Sequence, residues 1–123
     1  MDSNELTSNI IGAAIQVHRE LGPGLLESVY EKCLTVEFIE RKINFKRQEP
    51  IGIQYKQEII SSGLRLDLIV EDSVIIELKS VDKILPIHKA QLLSYLKLSR
   101  KKLGLLINFN VEILKDGIVR LAN

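Results

Sequence analysis

Two apolar runs joined by a polar break constrain this chain most. They are Leu64-Arg65-Leu66-Asp67-Leu68-Ile69-Val70 and Val74-Ile75-Ile76-Glu77-Leu78-Lys79. Both are rich in Leu, Ile and Val, as strands are. Side chains alternate faces along a strand. Leu64, Leu66, Leu68 and Val70 then share one face, and Arg65, Asp67 and Ile69 the other. In the second run Val74, Ile76 and Leu78 share one face, and Ile75, Glu77 and Lys79 the other. Glu71-Asp72-Ser73 is a three-residue connection, a common hairpin length. Folding antiparallel about Asp72 pairs Val70 with Val74, Leu68 with Ile76, Asp67 with Glu77 and Arg65 with Lys79. A two-residue loop would set Leu68 against Glu77 and mix the faces, so parity selects the first register.

This register has a chemical consequence. Two carboxylates face each other with Cβ atoms about 4.5–5.5 Å apart, an arrangement that repels unless something lies between them. A hard divalent cation with oxygen ligands, Mg²⁺ or Mn²⁺, suits that gap. Lys79 lies on the same face, within reach of a substrate anion, and Arg65 offers a second anion contact. The plain alternative is a solvated sheet face whose charges form ordinary cross-strand pairs.

Composition narrows the setting. The chain has 123 residues, 46% hydrophobic and 27% charged, with a formal net charge of +1. That length suits one domain. Near-neutral charge means that any nucleic-acid site is a local patch. No apolar run approaches the length of a membrane span. The opening Met-Asp-Ser-Asn-Glu lacks signal-peptide character, and a single cysteine, Cys33, fits a reducing compartment. A cytoplasmic location with no membrane partner is expected.

Around the hairpin, Asp2 to Leu21 reads as a helix started by Asp2 and Glu5, with Leu6, Ile10, Ala13, Ala14, Val17 and Leu21 at helical spacing. Gly22-Pro23-Gly24 ends it. His18, in its last turn, either interacts with the helix dipole or lines a site. A second helix spans Leu25 to Lys42. One of its stripes is Leu26, Val29, Cys33, Val36 and Ile39, which makes Cys33 a core residue. The neighbouring stripe is Glu27, Tyr30, Leu34 and Phe38. Glu27 is either a first-turn acid favoured by the dipole or an acid aimed at the polar sheet face; Glu31, one turn on, competes for the second role. Two strands are expected in Ile43 to Lys56, interrupted at Pro50 and Gly52, then a turn over Gln57 to Gly63. Arg41, Lys42, Lys46 and Arg47 form a basic cluster. A third helix runs from Pro86 to about Arg100, with His88, Gln91 and Tyr95 on one face. Leu103 to Phe109 reads as a doubly buried strand in parallel connection with the Glu77 strand. Val111–Leu114 and Ile118–Leu121 read as a terminal hairpin around Lys115-Asp116-Gly117.

Asp67 followed by Glu77-Leu78-Lys79 resembles the signature of the PD-(D/E)XK nuclease superfamily. Gly24-Leu25-Leu26-Glu27-Ser28-Val29-Tyr30 matches the motif of its GxxExxY branch, and Gln91 with Tyr95 matches the Q-x-x-x-Y found in many relatives. Leu66 stands where the superfamily often has proline. The resemblance, running from about Ile10 to the end, implies an α/β restriction-endonuclease-like core with a mixed central sheet flanked by helices. It implies a nuclease that hydrolyses phosphodiester bonds, with nucleic acid, DNA first, as partner. By this resemblance Asp67, Glu77 and Glu27 hold Mg²⁺ or Mn²⁺, with the Leu78 carbonyl, and Lys79 and Gln91 complete the catalytic set. Arg65, Tyr30, His88 and Tyr95 contact substrate. A homodimer placing two sites on two strands is expected by analogy with compact members. The alternatives are a binding module for nucleic acid or protein that keeps the fold without turnover, and a structural dimer whose polar face is only a surface.

Overall fold

The computed structural model describes all 123 residues. The first helix, α1 (Ser3–Leu21), starts where the Asp2 carboxylate accepts the Glu5 N–H at 2.8 Å. It ends at Gly22, whose φ of 70° favours a residue without Cβ. The second helix, α2 (Glu27–Glu40), follows. Then come β1 (Phe45–Tyr55), β2 (Glu58–Val70), β3 (Val74–Lys79), α3 (Pro86–Ser99), β4 (Leu103–Asn108), a short 3-10 turn (Leu114–Gly117) and β5 (Ile118–Ala122). The five strands form one mixed α/β sheet in the order β1-β2-β3-β4-β5; β3 and β4 run parallel and the other pairs antiparallel. No helix is long and apolar enough to cross a membrane.

The centre of the sheet, β3 and β4 with the end of β2, is buried on both sides. Helices α1 and α2 cover one face through Ile10, Ala14, Tyr30, Leu34 and Phe38, packed against Leu68, Ile76, Leu78 and Leu105. Helix α3 covers the other through Leu92, Tyr95 and Leu96, packed against Ile75 and Leu106. The apolar run expected as a doubly buried strand is β4, and every residue of it is buried. His18 is an interior tie: its Nε2 lies 2.7 Å from the Val111 carbonyl and therefore carries the proton. It neither caps α1 through the dipole alone nor faces the sheet's acids.

Four expectations are corrected. The stripe Leu26, Val29, Val36 and Ile39 is exposed, while Tyr30, Leu34 and Phe38 face the sheet. Both stripes are apolar, and the larger aromatic payload decides: the Tyr30 ring stacks on Phe109 at 4.3 Å between centroids. Cys33, between the stripes, is half-buried against the core. Second, Pro50 does not split β1, because β1 is an edge strand, where a missing N–H is tolerated. Third, the turn expected over Gln57–Gly63 is only Lys56-Gln57, and Ser62-Gly63 is a bulge inside β2 where the register shifts. The Ser62 hydroxyl bridges it, donating to the Ile51 carbonyl at 2.5 Å and accepting from the Leu64 N–H at 3.0 Å. Fourth, Val111–Leu114 forms no strand; β5 pairs with β4 instead.

Candidate active site

The hairpin has the register that parity requires: Val70 pairs with Val74, Ile69 with Ile75 and Leu68 with Ile76. There the ladder ends, one pair before Asp67 and Glu77. Carboxylates replace it. The Leu78 N–H donates to Asp67 Oδ2 at 2.8 Å, and the Asp67 N–H donates to Glu77 Oε1 at 3.2 Å. Each acid thus satisfies an amide that the parting strands would leave unpaired. The parting also breaks the alternation expected for β2. Leu68 and Val70 pack beneath α1 and α2, but Leu66 joins the α3 side.

Burial and proximity tune the two acids. Glu77 is 5% exposed. Burial first, and then the Asp67 charge, push its carboxyl up to about 8. Asp67 is also raised, first by burial; the Leu78 N–H opposes the rise, and the Glu31 charge adds more to it than that of Glu27. Lys79 acts the other way on Glu77, favouring its charged form. Tyr95, buried beneath α3, has its phenol raised by burial and then by Glu77 and Asp67, so it lies within the field of the pair.

Glu27, exposed at the start of α2, joins the rim of this site through the residue after Lys79. Its Oε1 accepts the Ser80 N–H at 3.3 Å, and the Ser80 hydroxyl donates to the Leu25 carbonyl at 2.6 Å. Tyr30 sets that helix start without touching Glu27. Its hydroxyl donates to the Gly22 carbonyl at 2.6 Å and accepts the Leu25 N–H at 3.2 Å. Fully buried, Tyr30 is structural and presents nothing to a substrate, in place of the contact expected of it. Arg65 is exposed and turns toward the Gln48 carbonyl at 3.4 Å, away from the cross-strand position opposite Lys79. His88 caps α3, its Nδ1 accepting the Leu85 N–H at 2.9 Å. Gln91 is exposed on α3.

Three supports lay outside the motifs. Glu31 is 6% exposed. Arg47 holds its Oε2 through Nε at 3.1 Å and Nη2 at 2.8 Å, and Gln48 holds its Oε1 at 2.8 Å. Asn108, buried at the end of β4, donates to the Val81 carbonyl at 2.9 Å and accepts its N–H at 3.1 Å. Ser80 clips the end of β3 to α2. In the sequence Glu31 stands as a competitor of Glu27, without its partners; for Ser80 and Asn108 the only advance signal is polar character beside an apolar strand.

No three His, Cys, Asp or Glu side chains close into a metal cage. The donor set still fits a hard cation. Asp67 Oδ1 and Glu77 Oε2 accept no backbone N–H, and Mg²⁺ is commonly held by one or two carboxylates plus waters and substrate phosphate. Residues 4–121 match a family model of the PD-(D/E)XK nuclease superfamily. No curated protein and no solved structure gives a significant match. The mixed five-stranded sheet between helices accords with a restriction-endonuclease-like core, and this chain belongs to the PD-(D/E)XK nuclease superfamily.

Proposed function

We propose that this chain is a metal-dependent nuclease of the GxxExxY branch, a single domain over residues 1–123 that hydrolyses phosphodiester bonds of nucleic acid, DNA first. The observation that carries this reading is the Asp67–Glu77 pair, locked by reciprocal bonds to strand amides and facing the side that also bears Lys79. Asp67 and Glu77 would hold Mg²⁺ or Mn²⁺, with Glu27 completing the site directly or through water. When bound, the cation supplies charge stabilisation at the phosphate and a nucleophilic water near neutral pH. Lys79 neutralises charge on the attacked phosphate through its ammonium. Gln91 and Arg65, both exposed, offer an amide and a guanidinium to flanking phosphates. Tyr95 walls the pair on the α3 side, and His88 fixes the start of that helix.

The test is incubation with Mn²⁺ or Mg²⁺ and single-stranded, duplex and branched DNA and RNA, beside Asp67→Asn. The wild type cleaves one of these substrate classes and the variant does not. Full cleavage by Asp67→Asn contradicts the assignment. The exposed apolar stripe of α2 is the feature that favours the homodimer, and sedimentation measures its mass.

A further inference from the structure

The hairpin of β1 and β2 outruns the rest of the sheet. Strand β3 pairs with β2 only at Leu68–Val70, yet β2 begins at Glu58. From Leu64 back to Glu58 the arm projects about 20 Å at strand rise, and it ends in an exposed tip, with Ile59 82% exposed. Gly52, Gln54, Lys56 and Ile59 of this arm line a cleft closed on its other side by Lys97 and Arg100 of the α3 end. No acid lines it. None of the three cations forms an ion pair; the salt bridges use Arg41, Arg47 and Lys101. Lys56 Nζ stands over the Tyr55 ring, 5.6 Å from its centroid, and none of the three has an acid partner, so in a chain of net charge +1 they are a local concentration of charge.

We propose that this cleft is a second anion subsite that grips the sugar-phosphate backbone of the nucleic acid away from the cut. It deepens the nuclease reading, on which its choice of partner rests. Helix α3 sets the spacing. Tyr95 packs with Leu66 and Ile75, neighbours of Asp67 and Glu77 along their strands. Arg100 follows five residues later, about 8 Å along the helix axis. Phosphates of one duplex strand advance about 3.4 Å along the axis each. A strand at the carboxylates therefore reaches the cleft within a few nucleotides. Lys56 and Arg100 both have left-handed backbones, with φ of 56° and 59°, where Asn is at least as comfortable. Lys42, Gln48, Glu71 and Asp72 share this trait, so the charge, not the strain, carries the argument. The trait does supply gentle substitutions.

The experiment measures binding of fluorescein-labelled duplex and single-stranded DNA by anisotropy in EDTA, over roughly 50 to 200 mM salt, where phosphate contacts register. The triple variant Lys56→Asn, Lys97→Gln, Arg100→Asn is compared with wild type and with a control, Lys32→Gln, Lys83→Gln, Lys115→Gln. The expected result on duplex is a slope of log affinity against log salt shallower by about 2 to 3 in the triple variant, near 0.9 per lost phosphate contact. The control keeps more of the slope. If the triple variant melts far below wild type, Lys97→Gln alone, which touches neither left-handed position, is expected to flatten the slope by about 0.9. An unchanged slope, equal losses in the control, or no binding by wild type overturns the subsite. Cleavage by wild type is scored separately. Cleavage with an unchanged slope leaves the nuclease standing without the subsite, and a lost slope without cleavage does the reverse.

Discussion

Glu77, one of the two acids proposed to hold the cation, sits buried at a cost. Its carboxyl is pushed up to about 8 by burial and by Asp67, from an ordinary 4.5. The metal-free folded protein therefore binds a proton there more tightly than the unfolded chain does. Stability from that proton is present in full below about pH 4.5 and is lost as pH rises through about 8. Thermal melts of metal-free protein are expected to fall across that window, by a few kcal/mol at most. Glu77→Gln keeps the acceptor for the Asp67 N–H and removes the titration, so its stability profile flattens and it outlasts wild type at about pH 8. A wild-type melt that is flat over this range contradicts the assignment. The acids themselves were legible because a period of two and a loop parity admit one register. Their manner of bonding was not. A ladder that stops at Leu68–Ile76 depends on how far the sheet twists, which no local pattern encodes.

At the scale of elements, the site is held by polar clips between an apolar sheet and its helices. Arg47 on β1, itself partly exposed, and the buried Glu31 on α2 form one of them, at 2.8 Å. Arg47→Ala leaves a buried carboxylate with Gln48 alone, and is expected to cost about 1–3 kcal/mol in denaturant melts. Adding Glu31→Gln is expected to recover part of that loss; no recovery contradicts the pairing. Asn108→Ala unties both polar groups of Val81 and is expected to cost a similar amount, with a larger loss of cleavage than of stability, because Val81 follows Ser80 at the rim of the site. These clips were illegible for one reason. Glu31, Ser80 and Asn108 matter through partners at least sixteen positions away, and polar residues at such positions usually face water. The exposed face of α2 was misread for a related reason: two stripes of similar apolarity cannot be ranked until Phe109 is seen to stack on Tyr30.

The whole molecule joins a sheet face that carries the Asp67 and Glu77 acids to an extended arm. Superfamily membership and the mixed sheet give the fold on which the proposed chemistry of the carboxylate pair rests. The arm was hidden in the sequence, because Gly63 reads equally as a turn and as a bulge. At this scale the cation is expected to act as a stabilising ligand. Mn²⁺ raises the melting temperature of wild type as RT ln(1 + [L]/Kd), more at pH 8 than at pH 6, since Glu77 then has less proton to give up. Asp67→Asn shows little rise. The most direct measurement is single-turnover cleavage with Mn²⁺ by wild type and by Lys79→Ala, with Mn²⁺-dependent melting recorded on both. The account predicts that Lys79→Ala keeps the melting shift and loses cleavage by roughly a hundredfold or more, the loss typical of a charge aimed at the reacting group. Equal cleavage by the two proteins would contradict it.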